Sequence, residues 1–143
     1  MTSTTTPHRP DLLRVLVAIV IAQVTLIAGA VGWVAIYSYL IAPDQPIAAY
    51  QAHAQASGPW VSLILGMPVF FALARWLVRH RPNAARSSAI ALGSGYIVID
   101  LTLLLALAPG AIPWGMVAAN YGAKLAATWL GSTHGAARAG AAR

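Results

Sequence analysis

Asp100 and Lys124 are the residues of this chain best placed to do chemistry, because each lies deep inside a long apolar run. A charge in the bilayer interior is costly and seldom faces lipid, so such a residue pairs, binds or conducts. Asp100 stands nine residues before Pro109, or ~13 Å along a helix, and Lys124 ten residues after Trp114, or ~15 Å. A short turn from Ala108 to Pro113 would make the two flanking helices antiparallel neighbours and bring both groups to one depth. Tyr96 lies one helical turn from Asp100, and Asn120, Lys124 and Thr128 recur at intervals of four on one face. The five form a predicted polar cluster. One reading is an internal ion pair that fixes helix register; another is a proton relay, or the polar floor of a pocket entered from the outer leaflet. In a third, Lys124 snorkels to the cytoplasmic side and leaves Asp100 to another partner.

A second candidate is His53, in the segment from Pro43 to Pro59, where Asp44 and Pro46 signal a short helix over the outer side. It could act as a ligand or proton acceptor. His8, His80 and His134 show no metal-ligand spacing with any other donor, so no metal site is expected. A chain without cysteine has no disulfide, thiolate site or cysteine nucleophile. Phosphate-cradling glycine loops, paired carboxylates and His-x-x-x-His are missing too, and Gly93-Ser94-Gly95 is too short for a serine elbow. No cofactor is expected, no catalytic residue is assigned, and an enzyme is the weaker reading.

The elements that must hold these groups are long and apolar. Of 143 residues, 59% are hydrophobic and 8% charged, against about 25% charged in soluble proteins. The spans are expected at about 12–41, 59–78, 88–107 and 113–130, each long enough for a hydrocarbon core ~30 Å thick. The first run exceeds the roughly 7 to 15 apolar residues of a signal peptide and reads as an uncleaved span. Residues 1–11 and 131–143 read as disordered cytoplasmic tails around a transmembrane domain at 12–130.

The net charge of +6 would suggest nucleic acid in a soluble domain, but here the arginines sit at the ends of apolar runs and no nucleic-acid partner is expected. Arg9, Arg14, Arg75, Arg79, Arg81, Arg86, Arg138 and Arg143 fall in the tails and the middle link or at span ends beside them, and the other two links have none. The positive-inside rule then puts both termini in the cytoplasm. Trp33, Trp60 and Trp114 would mark the outer interface, Trp76 and Trp129 the inner one.

Helices in lipid associate through small residues at close approach. Gly115, Ala119, Ala123, Ala127 and Gly131 form such a stripe on the fourth span, Gly58, Ser62 and Gly66 on the second, and Ala28 with Gly32 on the first. Pro68 should kink the second span. Gln23 and Thr25 are expected to bond to a neighbouring helix. The fold expected is all-α: a polytopic bundle of four transmembrane helices in a bacterial inner membrane, partnered by the lipid bilayer. The leading functional reading is a non-enzymatic accessory subunit that binds another membrane subunit or itself. The alternative is a small transporter or proton-coupled ligand-binding protein built on Asp100 and Lys124; a lipid- or quinone-modifying enzyme using the same cluster with His53 ranks third.

Overall fold

The computed structural model describes residues 11–80, 82–107 and 112–141. It is all-helical, with α1 (Leu12–Ile36), α2 (Ile47–His80), α3 (Ala85–Leu107) and α4 (Trp114–Ala141). Leu12–Ile41, Ile47–Arg79 and Ala85–Ala106 are long and apolar enough to cross a bilayer, the mark of a membrane protein. α4 falls outside that set because Asn120, Lys124, Thr128 and Ser132 dilute its apolar residues.

Asp11 starts α1, its carboxylate accepting from the Arg14 backbone N–H at 3.4 Å and pairing with the Arg14 guanidinium at 3.4 Å. At the far end the backbone widens into a π-helical turn, Tyr37–Ile41. There the Ala42 N–H reaches back to the Tyr37 carbonyl at 2.9 Å before Pro43 stops the helix. Asp44 takes a left-handed conformation, φ 61°, which a short polar side chain tolerates. The Tyr50 hydroxyl then ties the link to α2, donating to the Ala42 carbonyl and accepting from the Gln45 N–H, both at 3.0 Å.

Two boundaries differ from expectation. The second span does not begin at Pro59: residues from Ile47 onward belong to one helix of 34 residues that carries Pro59 and Pro68 inside it. Each proline forfeits one backbone bond, yet the Ala- and Leu-rich flanks favour helix on both sides. At 1.5 Å per residue α2 is ~51 Å long, so it outruns a ~30 Å core. α4 likewise continues to Ala141 through the region read as a disordered tail. Packing explains this: a Cβ on Gly131 would strike the backbone of Phe71, and one on Gly135 would come within 3.3 Å of the Arg75 carbonyl. These two glycines keep α4 against α2 below the predicted end.

The most extensive contact is between α2 and α4, which run parallel; α1 packs on α2 and α3, and α3 on α4. Between them lies an apolar core of Val15, Ile19 and Leu26 from α1, Phe70 and Leu77 from α2, and Leu92 from α3. The opposite faces carry exposed Leu, Ile and Val, as lipid-facing surfaces do.

The small-residue stripes are used only in part. On α4, Ala127 and Gly131 are buried whereas Gly115 and Ala119 are exposed, and Ala123 is half-buried. A repeat of four residues advances 400° on a helix turning 100° per residue, so the stripe drifts about 40° per step and leaves the contact face within a few turns. On α2, Gly66 and Ser62 face Lys124, but a Cβ at Gly58 would meet open space. On α1 the close approach is made by Gly29 on Leu65, not by Ala28 and Gly32.

Gly131→Leu should therefore lower stability in mild detergent by about 1–3 kcal/mol, because backbone rather than a mobile side chain blocks the added bulk. Ala126→Leu on the exposed face should change the melting temperature little. Equal effects would remove Gly131 from the contact.

Candidate functional site

All four helices bring the polar side chains together, α1 through Gln23. α3 supplies Tyr96 and, one turn on, Asp100; α4 supplies Asn120, Tyr121 and Lys124; α2 supplies Ser62 and the gap at Gly66. The Lys124 chain lies across Gly66, where a Cβ would come within 2.7 Å of its Cε. The absent side chain on α2 is what lets a lysine of α4 lie flat in the helix interface.

Lys124 is 2% exposed. Its Nζ donates to Ser62 Oγ at 2.9 Å and to the Tyr96 hydroxyl at 3.1 Å. It also stands 4.7 Å from the centre of the Tyr96 ring and 5.9 Å from that of Tyr121. Aromatic faces attract a cation at such range. Tyr96, 2% exposed, is held edge-on by Phe70 at 4.7 Å, and its hydroxyl donates a hydrogen bond to Asp100 Oδ1 at 3.0 Å. Asp100 accepts two more bonds, from Gln23 Nε2 of α1 at 3.3 Å and from the Tyr121 hydroxyl at 2.9 Å on Oδ2.

Lys124 and Asp100 are thus brought together, but not as a direct ion pair. Among the described residues the ion pair is Arg14 with Asp11, and the buried lysine and half-buried aspartate are joined through the Tyr96 hydroxyl, which accepts from Lys124 and donates to Asp100. Lys124 does not snorkel: Ser62 and Tyr96 hold its head between the helices. Asn120 joins the cluster's edge, its Nδ2 donating to the Pro59 carbonyl at 3.0 Å. Its Oδ1 is buried with no hydrogen-bond partner among the described residues. Thr128 is buried but spends its hydroxyl on the Lys124 carbonyl of its own helix at 2.7 Å.

Above the cluster lies an open cleft of about 960 Å³ between α2, α3 and α4, within the roughly 300–1,000 Å³ usual for small-molecule sites. It runs from Ala52, Ile112 and Pro113 down to Ser62, Asp100 and Lys124. Its walls are mostly small or apolar, and Asn120 and Tyr121 complete the floor.

His53 does not line this cleft. It sits on the other side of α2, stacked on Tyr37 with ring centres 3.5 Å apart and planes 5° apart, and tilted against Trp33 at 6.2 Å. It joins α1 to α2 and does not help the enzyme reading. His134 lies beside Phe71, 6.0 Å between rings; His8 falls outside the described residues.

Three members were not assigned to the site from sequence: Ser62, which reads there only as a small residue of the packing stripe, Tyr121 and Gln23. Tyr121 lies one turn before Lys124 and was legible as its neighbour by spacing. Gln23 reads only as a packing residue, since nothing local ties it to a residue 77 positions away. No protein-family model, curated protein or solved structure matches the chain.

Asp100→Asn should destabilise the protein by about 3–5 kcal/mol, because it leaves the buried Lys124 charge uncompensated, and Lys124→Met by less, because Asp100 is only half-buried and lines the cleft. The double variant should recover about 1–3 kcal/mol relative to additivity. Tyr96→Phe, which removes the bridge and keeps the ring, should cost about 1–3 kcal/mol and abolish that coupling. Chemical unfolding in detergent reads all four; additive single effects would show that the two charges are independent.

Proposed function

We propose that the chain is a four-helix bundle crossing a bacterial inner membrane four times, with both termini cytoplasmic, and that it binds a small molecule in the cleft above Lys124, Tyr96 and Asp100 as a transporter or proton-coupled binding protein. The observation that carries this reading is the position of the two charges. A pair whose role ended at helix register would be best closed off from any cavity, yet both groups line a cleft that is open to the surface.

α4 is the fourth span in this reading. Its 28 residues reach ~42 Å, enough to cross, and the helices around its polar face relieve it of the need to be apolar throughout. The orientation follows from charge. Arg14, Arg79, Arg86 and Arg138 lie at the end of the four helices that carries the termini, and that end belongs on the cytoplasmic side. The cleft then opens outward, and the hydrogen-bonded path from Lys124 through Tyr96 to Asp100 offers a route for a proton between two ionisable groups.

The accessory-subunit reading keeps one observation. Gly115, Ala118, Ala119, Gly122 and Ala126 are exposed on one side of α4, a face that a partner helix could approach closely.

Two measurements separate these readings. A single cysteine introduced at Val117, on the cleft wall, should react with an impermeant maleimide added from outside intact cells; protection from outside and reaction from the cytoplasm would overturn the orientation. Native mass spectrometry of protein extracted in mild detergent should show a small molecule that is lost in the Asp100→Asn, Lys124→Met double variant. A stoichiometric protein partner with no small molecule would instead support the accessory subunit.

A further inference from the structure

Building on cleft binding, we infer that the ligand is a zwitterion of the α-amino-acid type, its carboxylate on Lys124 and its ammonium on Asp100 and Asn120. The unused bonding capacity of the floor leads there. An ammonium has three donors, and Lys124 Nζ spends two, on Ser62 and Tyr96. Ser62 Oγ accepts from the lysine, which leaves its own proton to give. One end of the floor therefore offers donors.

The other end offers acceptors. A carboxylate accepts about four hydrogen bonds; Asp100 takes two on Oδ1 and one, from Tyr121, on Oδ2. Asn120 Oδ1 is a second acceptor, and it is the unusual one: the residue is 7% exposed, lines the cleft, and its oxygen is buried without a partner among the described residues. The bond from Nδ2 to the Pro59 carbonyl fixes which end of the amide faces which way. A buried acceptor left unmet is costly, so a ligand donor that meets it strengthens binding there.

Charge balance selects among ligands. Asp100 and Lys124 are the charged side chains among the described lining residues, and their charges cancel. A ligand that was only an anion would satisfy Lys124 and meet repulsion from Asp100; one that was only a cation would do the reverse. A zwitterion satisfies both, and the two charges stand one bridging hydroxyl apart, a separation that adjacent ammonium and carboxylate groups can span. The walls, with Leu104, Met116 and Val117, suit an apolar side group.

The test is calorimetric titration of the full-length protein in mild detergent with L-phenylalanine, its methyl ester and its N-acetyl derivative. Phenylalanine should bind, and each blocked derivative should bind at least tenfold more weakly, since each forfeits a charge-assisted hydrogen bond. Lys124→Met should erase the difference between phenylalanine and the ester, and Asp100→Asn that between phenylalanine and the acetylated form. The wild-type comparison stands even where a variant fails to fold. Equal binding of a blocked derivative, abolished by the cleft-filling change Ala56→Trp, would overturn the zwitterion and leave cleft binding standing. Failure of all three probes would also overturn the zwitterion, and the molecule found on extraction then decides cleft binding separately.

Discussion

Placing a buried lysine beside a half-buried aspartate between helices imposes a condition: the two charges need partners within the protein. The Tyr96 hydroxyl meets the condition by accepting from Lys124 and donating to Asp100. Other features follow from it. Gly66 makes room for the lysine stem, Ser62 takes its second proton, Phe70 fixes the tyrosine ring, and Gln23 and Tyr121 complete the carboxylate. The network draws on α1, α2, α3 and α4 alike, so it joins the helices as well as furnishing a floor.

The close contact of α2 with α4 serves the same end. Below the polar cluster, Gly131 and Gly135 bring the two backbones together; above it, the helices part around the cleft. A parallel pair that is tight at one end and open at the other places an accessible volume directly over Lys124 and Asp100. The link from α1 to α2 is braced separately, by Tyr50 on the backbone of residues 42 and 45 and by the stack of His53 on Tyr37.

Much of this was legible in the sequence because a membrane makes local residue types decisive. The all-helical fold, the first apolar run ending at Ile41 and the third beginning close to Ser88 follow from hydropathy and length alone. That Asp100 and Lys124 come together followed from counting residues from the turn. What could not be read was rotation about the helix axes. The stripe from Gly115 to Gly131 reads as one face, but it winds off the contact because four residues overshoot a turn. Prolines were equally misleading: Pro59 reads as a boundary, and only the uninterrupted helix from Ile47 shows otherwise. Hydrogen bonds between distant residues, such as Gln23 with Asp100, leave no local trace.

Lys124 is the single lysine of the chain, which gives the central link one unambiguous reporter. Protein labelled with ¹⁵N at lysine side chains and held in detergent micelles should give one Nζ resonance whose protons exchange slowly with solvent and show Overhauser contacts to the Tyr96 ring. Tyr96→Phe should shift that resonance and speed the exchange. A rapidly exchanging Nζ signal that does not respond to Tyr96→Phe would contradict the bridged pair.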